Sequence, residues 1–294
     1  MPMKNSDDEK NLPIRFISQA TGILPVTLRA WERRYGLIKP ARTEKGHRLY
    51  AQSDITLIRQ ILGLISQGVP VGKTRQLINN PDAIKSTSSD WPQLREQLLL
   101  AVYGLHSDKA IEIVRRAGKL YPLPSLAAEL IEPALHLIEQ SADTKRWAYH
   151  QLLTQTVNIY MDQRSHQAQI ANSRPGPIFI TSLLSDSPAL QARLFEIMAR
   201  ESGLDARWLG HAPGPLALAE LLLHHNATGV ILWEENEVAG DWQPLFSAIK
   251  HAVALPIAVG GRFSLYQARN LQQLLIPLLP QEHDTALKMI RSWY

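Results

Sequence analysis

The chain has 294 residues, 45 % apolar and 20 % charged, the balance of a folded protein with room for about two or three domains. It holds no cysteine, which excludes disulfides, thiolate metal centres and cysteine nucleophiles. The net charge of +4 is unevenly spread: residues 14–80 carry eleven Lys/Arg against Glu32, Glu44 and Asp54, a net of +8, so a basic head precedes a slightly acidic body and points to a polyanion partner for that head.

The first 13 residues are polar and include acids, so they read as a disordered tail rather than a signal or transit peptide. No apolar run approaches the roughly 18 residues of a membrane span, and the expectation is a cytoplasmic protein without a membrane partner. The head, residues 14–80, opens with a short helix, Ile14 to Ile23, ending at Gly22. Pro25 then starts "PVTLRAWERRY" at a position where its missing N–H costs nothing. Two short helices about a tight Gly-containing turn predict a helix-turn-helix.

On a wheel centred on Leu28, Trp31, Glu32 and Tyr35 fall within about 60° of it. Thr27, Arg29, Ala30, Arg33 and Arg34 take the remaining arc. Arginine forks onto guanine or phosphate, and a small Ala permits close approach to a groove or a thymine methyl. Next, "RTEKGHRLY" predicts a Gly46-turned hairpin holding Arg42, Lys45, His47 and Arg48 against a phosphate backbone. Ser53 is expected to cap the following helix, and "VPVGKTRQLI" begins another.

Residues 81–90 read as a polar linker opened by Pro81. From 91 to 171 the apolar residues keep the helical period, with breaks that predict a four-helix antiparallel bundle. "NSRPGP", 172–177, is a second linker. Residues 178–294 alternate short apolar strands ("IFITSLL", "TGVILWE", "LPIAVGG") with helical stretches, the signature of a parallel-sheet domain. "WEENE", Trp233 to Glu237, is expected to be a solvated acidic loop. No hydrolase elbow accompanies Asp186 and Ser187, and no catalytic residue is expected.

"TLRAWERRYGLIKPARTEKGHRLY", with "ISQATGI" before it and "SQGVPVGKTRQLI" after, resembles the MerR family of winged helix-turn-helix regulators over residues 14–78. By position, that resemblance makes Thr27, Arg29, Arg33 and Arg34 recognition-helix contacts. It makes Arg42, Lys45, His47, Arg48 and Tyr50 wing contacts. Leu24 stands where the family has a polar cap.

The arrangement that follows is similar to the CarA/CarH- and MlrA-like subgroup, with a degenerate cobalamin-binding-type C-terminal region. The implied fold is multidomain α and α/β: winged helix-turn-helix head, four-helix bundle, and flavodoxin-like parallel-sheet domain.

Against the subgroup's DxHxxG motif, Asp186 keeps the acid, but the cobalt-binding His is replaced by Pro188 and the Gly by Gln191. Against its bundle motif His150 is kept, whereas Glu139 and Tyr149 replace the Trp and Glu. "VGG" keeps a Gly pair, Gly260 and Gly261. Asp186, Ser187, Glu139, Tyr149, His150, Gly260 and Gly261 thus form a possible ligand or partner site, with no cofactor and no metal expected.

The resemblance implies a transcriptional activator or repressor that binds double-stranded promoter DNA as a dimer, distorts the spacer and works with RNA polymerase. A signalling protein or ligand on the body would regulate it, and the body would supply much of the self-association into a homodimer or higher oligomer. The alternatives are a cobalamin-dependent light-sensing repressor and a sensor of another small ligand at the α/β switch point.

Overall fold

The computed structural model describes residues 11–79, 90–167, 176–182, 190–212, 214–235, 242–252, 255–280 and 283–294. Its packing divides the chain into two compact units, Met1–Asp162 and Gln163–Tyr294.

The first unit starts with β1 (Leu12–Pro13) and α1 (Ile14–Thr21), which ends at Gly22. α2 (Pro25–Tyr35) follows a three-residue turn. Leu24 gives it no side-chain cap, but Arg33 and Arg34 in the last turn complement the negative end of the helix dipole. Arg75 Nη1 donates to the Gly36 carbonyl at 2.6 Å just beyond that end.

β2 (Ala41–Arg42) and β3 (Arg48–Tyr50) form the expected hairpin, and β1 joins the far side of β3. The hairpin turns at Gly46, whose φ of 79° suits a residue without Cβ and whose N–H donates to Thr43 O at 2.8 Å. α3 (Gln52–Ser66) is capped differently from the expectation: Asp54, not Ser53, accepts the Ala51 N–H, at 2.8 Å. A carboxylate in the first turn also meets the positive end of the dipole, which a hydroxyl cannot match. α4 (Val71–Asn79) completes the head. Ile17, Leu28, Trp31, Ile38, Ile58, Ile61 and Ile65 form its buried core.

The bundle comprises α5 (Trp91–Tyr103), α6 (Ser107–Gly118), a third segment and α9 (Arg146–Gln167). The third segment runs as α7 (Leu123–Leu126), a widened π turn at Ala127–Ile131, and α8 (Glu132–Glu139). Pro133 accounts for the widening, because it has no N–H and its ring crowds the carbonyl four residues back.

In the second unit, β4 (Ile178–Ser182), β5 (Ala206–His211), β6 (Gly229–Trp233) and β7 (Ile257–Gly260) form a parallel sheet in the order β5-β4-β6-β7. α10 (Leu190–Glu201), α11 (Pro215–His224) and α12 (Gln243–Ala252) alternate with the strands. The short α13 (Phe263–Tyr266) and α14 (Ala268–Gln273) and then α15 (His283–Arg291) close the chain. β4, β6 and β7 are buried throughout, as apolar runs in a parallel sheet require.

Trp242, Phe246 and Phe263 stack edge and face in the core beside the sheet. Arg164 reaches Glu201 with two N–H groups, and both side chains are buried. The strand order reverses between β4 and β6, the place where ligands enter sheets of this kind. The expected α and α/β architecture is present. Among the described residues no single helix is long and apolar enough to cross a membrane.

Candidate nucleic-acid interface

α2 has two unlike sides. Leu28 and Trp31 are fully buried, whereas Arg29, Arg33 and Arg34 are exposed and form no ion pair among the described residues. The expected division of this helix needs two corrections. Thr27 is 1 % exposed and Ala30 6 %, so neither side chain is offered outward. α2 packs against both α1 and α4, which widens its buried arc beyond the apolar residues alone. The outward face is instead Val26, Arg29, Arg33 and Arg34, and Val26, 39 % exposed, takes the apolar place expected of Ala30. Its helical spacing of three from Arg29 was the available signal.

The wing presents Arg42, Lys45 and His47 to solvent. Arg48 is half-buried, and its Nε donates to Glu32 Oε2. Arg42 Nη2 meets the other oxygen, Glu32 Oε1, at 3.4 Å. One carboxylate on α2 therefore grips both strands of the hairpin. That hydrogen bond, above all, raises the Arg48 pKa further, so its charge is fixed. A guanidinium has five N–H groups, so these bonds leave donors for a phosphate.

Sequence reasoning recognised Glu32 as the lone acid on the inner arc but missed this anchoring role, because its partners lie 10 and 16 residues away. Tyr50 also differs from expectation. It is 1 % exposed, its hydroxyl has no hydrogen-bond partner among the described residues, and burial, then the Glu32 charge, pushes its pKa up to about 12. It is a core support beneath the wing.

In the body, Asp186, Ser187 and Pro188 lie outside the described residues. Glu139 and His150 come together, Nε2 to Oε1 at 3.6 Å, on the bundle surface. Tyr149 is buried beside them, donates to Asp143 Oδ2 at 3.3 Å and meets the Tyr103 ring edge-on at 5.0 Å. A groove of about 220 Å³ between α6 and α9 is lined by Leu105, Ser107, Ile111, Trp147 and Gln151 among others.

Gly260 and Gly261 sit at the carboxyl end of β7. A Cβ on Gly260 would fall 2.7 Å from the Trp233 ring, and one on Gly261 would fall 2.1 Å from the Glu234 carbonyl. Gly261 also has φ +82°. The chain's own residues fill the cradle that the Gly pair opens. Glu234 corrects a further expectation: it is not solvated but 1 % exposed, and it accepts a hydrogen bond from Ser182 Oγ at 3.0 Å across the β4–β6 crevice. Glu235 is held by the Trp233 indole at 2.6 Å and by Arg262 at 3.4 Å.

A corrinoid needs an open crevice for its tail and, if held by the protein, an imidazole for its cobalt. Among the described residues Ser182 and Glu234 bond across this crevice, Trp233 and Glu234 pack on the Gly pair, and the sequence has proline at the position of the imidazole. The residues present do not fit that group. No cluster of three or more His, Asp or Glu that would hold a metal occurs among the described residues.

Residues 12–80 match the model of the MerR HTH family regulatory proteins. The HTH-type transcriptional regulator MlrA of Escherichia coli (strain K12) is 42 % identical over 113 residues, 38 % of this chain and 45 % of that protein. The chain therefore matches less than half the length of that relative. The HTH-type transcriptional repressor CarH of Myxococcus xanthus is 24 % identical over 298 residues, 94 % of this chain and 97 % of that protein. Among solved structures, the monomethylamine corrinoid protein of Methanosarcina barkeri has a TM-score of 0.53 and 11 % identity, covering 69 % of this chain and 99 % of that one, a likeness of fold alone. Through its head, residues 12–80, the chain is similar to the MerR HTH family of regulatory proteins.

Proposed function

We propose that the protein is a cytoplasmic transcriptional regulator that binds promoter DNA as a dimer. α2 enters the major groove, and the wing fixes its register on phosphates. The observation that carries this reading is the pairing of opposites on α2. Three arginines stand in solvent without ion-pair partners among the described residues, while Leu28 and Trp31 lock the other side into the core. Arg29, Arg33 and Arg34 read or border bases, and Val26 supplies the apolar contact to a thymine methyl. Arg42, Lys45, His47 and Arg48 hold phosphate, with Glu32 setting where the two wing arginines stand. Two heads on a two-fold axis read inverted half-sites, and the strain placed in the spacer extends specificity to bases never touched. RNA polymerase acts on the distorted promoter.

The bundle and the α/β domain regulate the head through a partner protein rather than through cobalamin, since the crevice that a corrinoid tail needs is occupied by Glu234 and Trp233. Genome-wide footprinting of the full chain tests the reading. It predicts protected inverted repeats within promoters; protection without sequence preference, or none, refutes it. Growth with cobalamin followed by a visible spectrum tests the ligand side, and a bound corrinoid band contradicts the assignment.

A further inference from the structure

Trp31 is the most deeply buried large residue of α2, yet its indole N–H leaves the head. It donates at 2.7 Å to the carbonyl of Leu120, 89 positions away in the bundle. Leu120 lies just past the end of α6. Its N–H and that of Tyr121 both bond the Ala117 carbonyl, and its own carbonyl points beyond the helix, where backbone acceptors lack intrahelical donors.

The contact continues on both sides. Tyr121 packs on Trp91 with ring centroids 4.1 Å apart and donates to Asp90 Oδ2 at 3.3 Å. Burial first, then the neighbouring Asp90 and Tyr35 charges, raises the Tyr121 pKa far above its ordinary value, and the Val71 backbone faces its hydroxyl. Tyr35, the last residue of α2, is raised by burial and by Asp90 in the same way, and lies over Gly72.

The inner side of α2 and the start of α4 are thus clasped by Asp90, Trp91, Leu120 and Tyr121. The arginines of α2 stand on its other side and stay open. We infer that the bundle positions α2 through the Trp31–Leu120 bond, so that each head of a dimer is held in register for its half-site. This inference rests on the reading of the protein as a dimeric DNA-binding regulator.

The physical reason is preorganisation. A head attached only by a chain segment must give up orientational freedom when the second half-site is engaged, whereas a clasped head has already lost it. The clasp therefore acts on the second engagement and not on the first. Movement of the α6 end carries Trp31 with it, which places the regulation of DNA affinity at this contact.

The test uses the full chain and a duplex selected by the wild-type protein from a random-sequence pool, with a shortened duplex retaining one half-site. Trp31→Phe removes the donor and leaves a smaller aromatic ring in the buried place of the indole. It is expected to weaken binding to the two-half-site duplex about tenfold, while single half-site binding changes less than about twofold. Equal loss on both duplexes means that Trp31 serves only the head's own core, and loss on neither means that the clasp positions nothing; either result overturns the inference. Tyr121→Phe removes no atom of the head and replaces Trp31→Phe if that variant does not fold. It is expected to show the same split at about threefold, and the absence of a split overturns the inference equally. A wild-type chain that selects no duplex at all sinks the underlying reading instead, before any variant is compared.

Discussion

At the scale of single residues, Glu32 gives the least intuitive consequence. A carboxylate near DNA repels phosphate, so electrostatics alone predicts tighter binding when its charge is removed. Its bonds to Arg42 and Arg48 predict the reverse, because they fix the wing to α2. Glu32→Gln is expected to weaken DNA binding about three- to tenfold in a fluorescence anisotropy titration, a modest loss because the pair is partly exposed. Tighter binding of the variant contradicts the anchoring role.

On the proposed reading, Arg33 reads bases and Lys45 holds phosphate. Arg33→Ala is expected to cost about 1–3 kcal/mol at particular base pairs and little at others. Lys45→Ala is expected to weaken all duplexes alike and to reduce the salt slope by about one phosphate. Identical behaviour of the two variants in a base-substitution series contradicts the division. The arginines were legible in the sequence because their charge and helical phase suffice. The burial of Thr27 and Ala30 was not, since small residues suit either side of a helix and the neighbours α1 and α4 decide.

At the scale of elements, the tyrosines around α2 tie stability to pH. Tyr50 is raised to about 12, and Tyr35 and Tyr121 are also raised, each chiefly by burial. A raised phenol favours the folded state fully below its unfolded pKa of about 10 and loses that contribution as pH climbs toward the folded value. Thermal unfolding followed by circular dichroism is expected to show the melting temperature of the head and bundle falling above about pH 10, with a smaller fall in Tyr121→Phe. The same fall in that variant refutes the assignment for Tyr121.

Helices, wing and parallel strands were legible because Gly, Pro and apolar periodicity act locally, as at Gly22, Pro25 and Gly46. The burial of Glu234 depended on packing that no short pattern encodes.

At the scale of the whole molecule, a basic head, proposed to read DNA, precedes a larger body whose fold resembles that of a corrinoid protein and in which Ser182 and Glu234 bond between the ends of β4 and β6. The sequence set the basic head apart through its charge asymmetry. It was silent on the Trp31–Leu120 bond, whose partner is a backbone carbonyl and leaves no mark on residue type. The measurement that bears most directly on the central claim is selection of duplexes from a random pool by the full chain, at low and at physiological salt, beside Arg29→Ala and Arg33→Ala variants. The account predicts an enriched inverted repeat for the wild type, with preference at defined positions relaxed in each variant. Enrichment that survives unchanged in both variants, or a wild-type chain that retains no duplex at low salt, contradicts it.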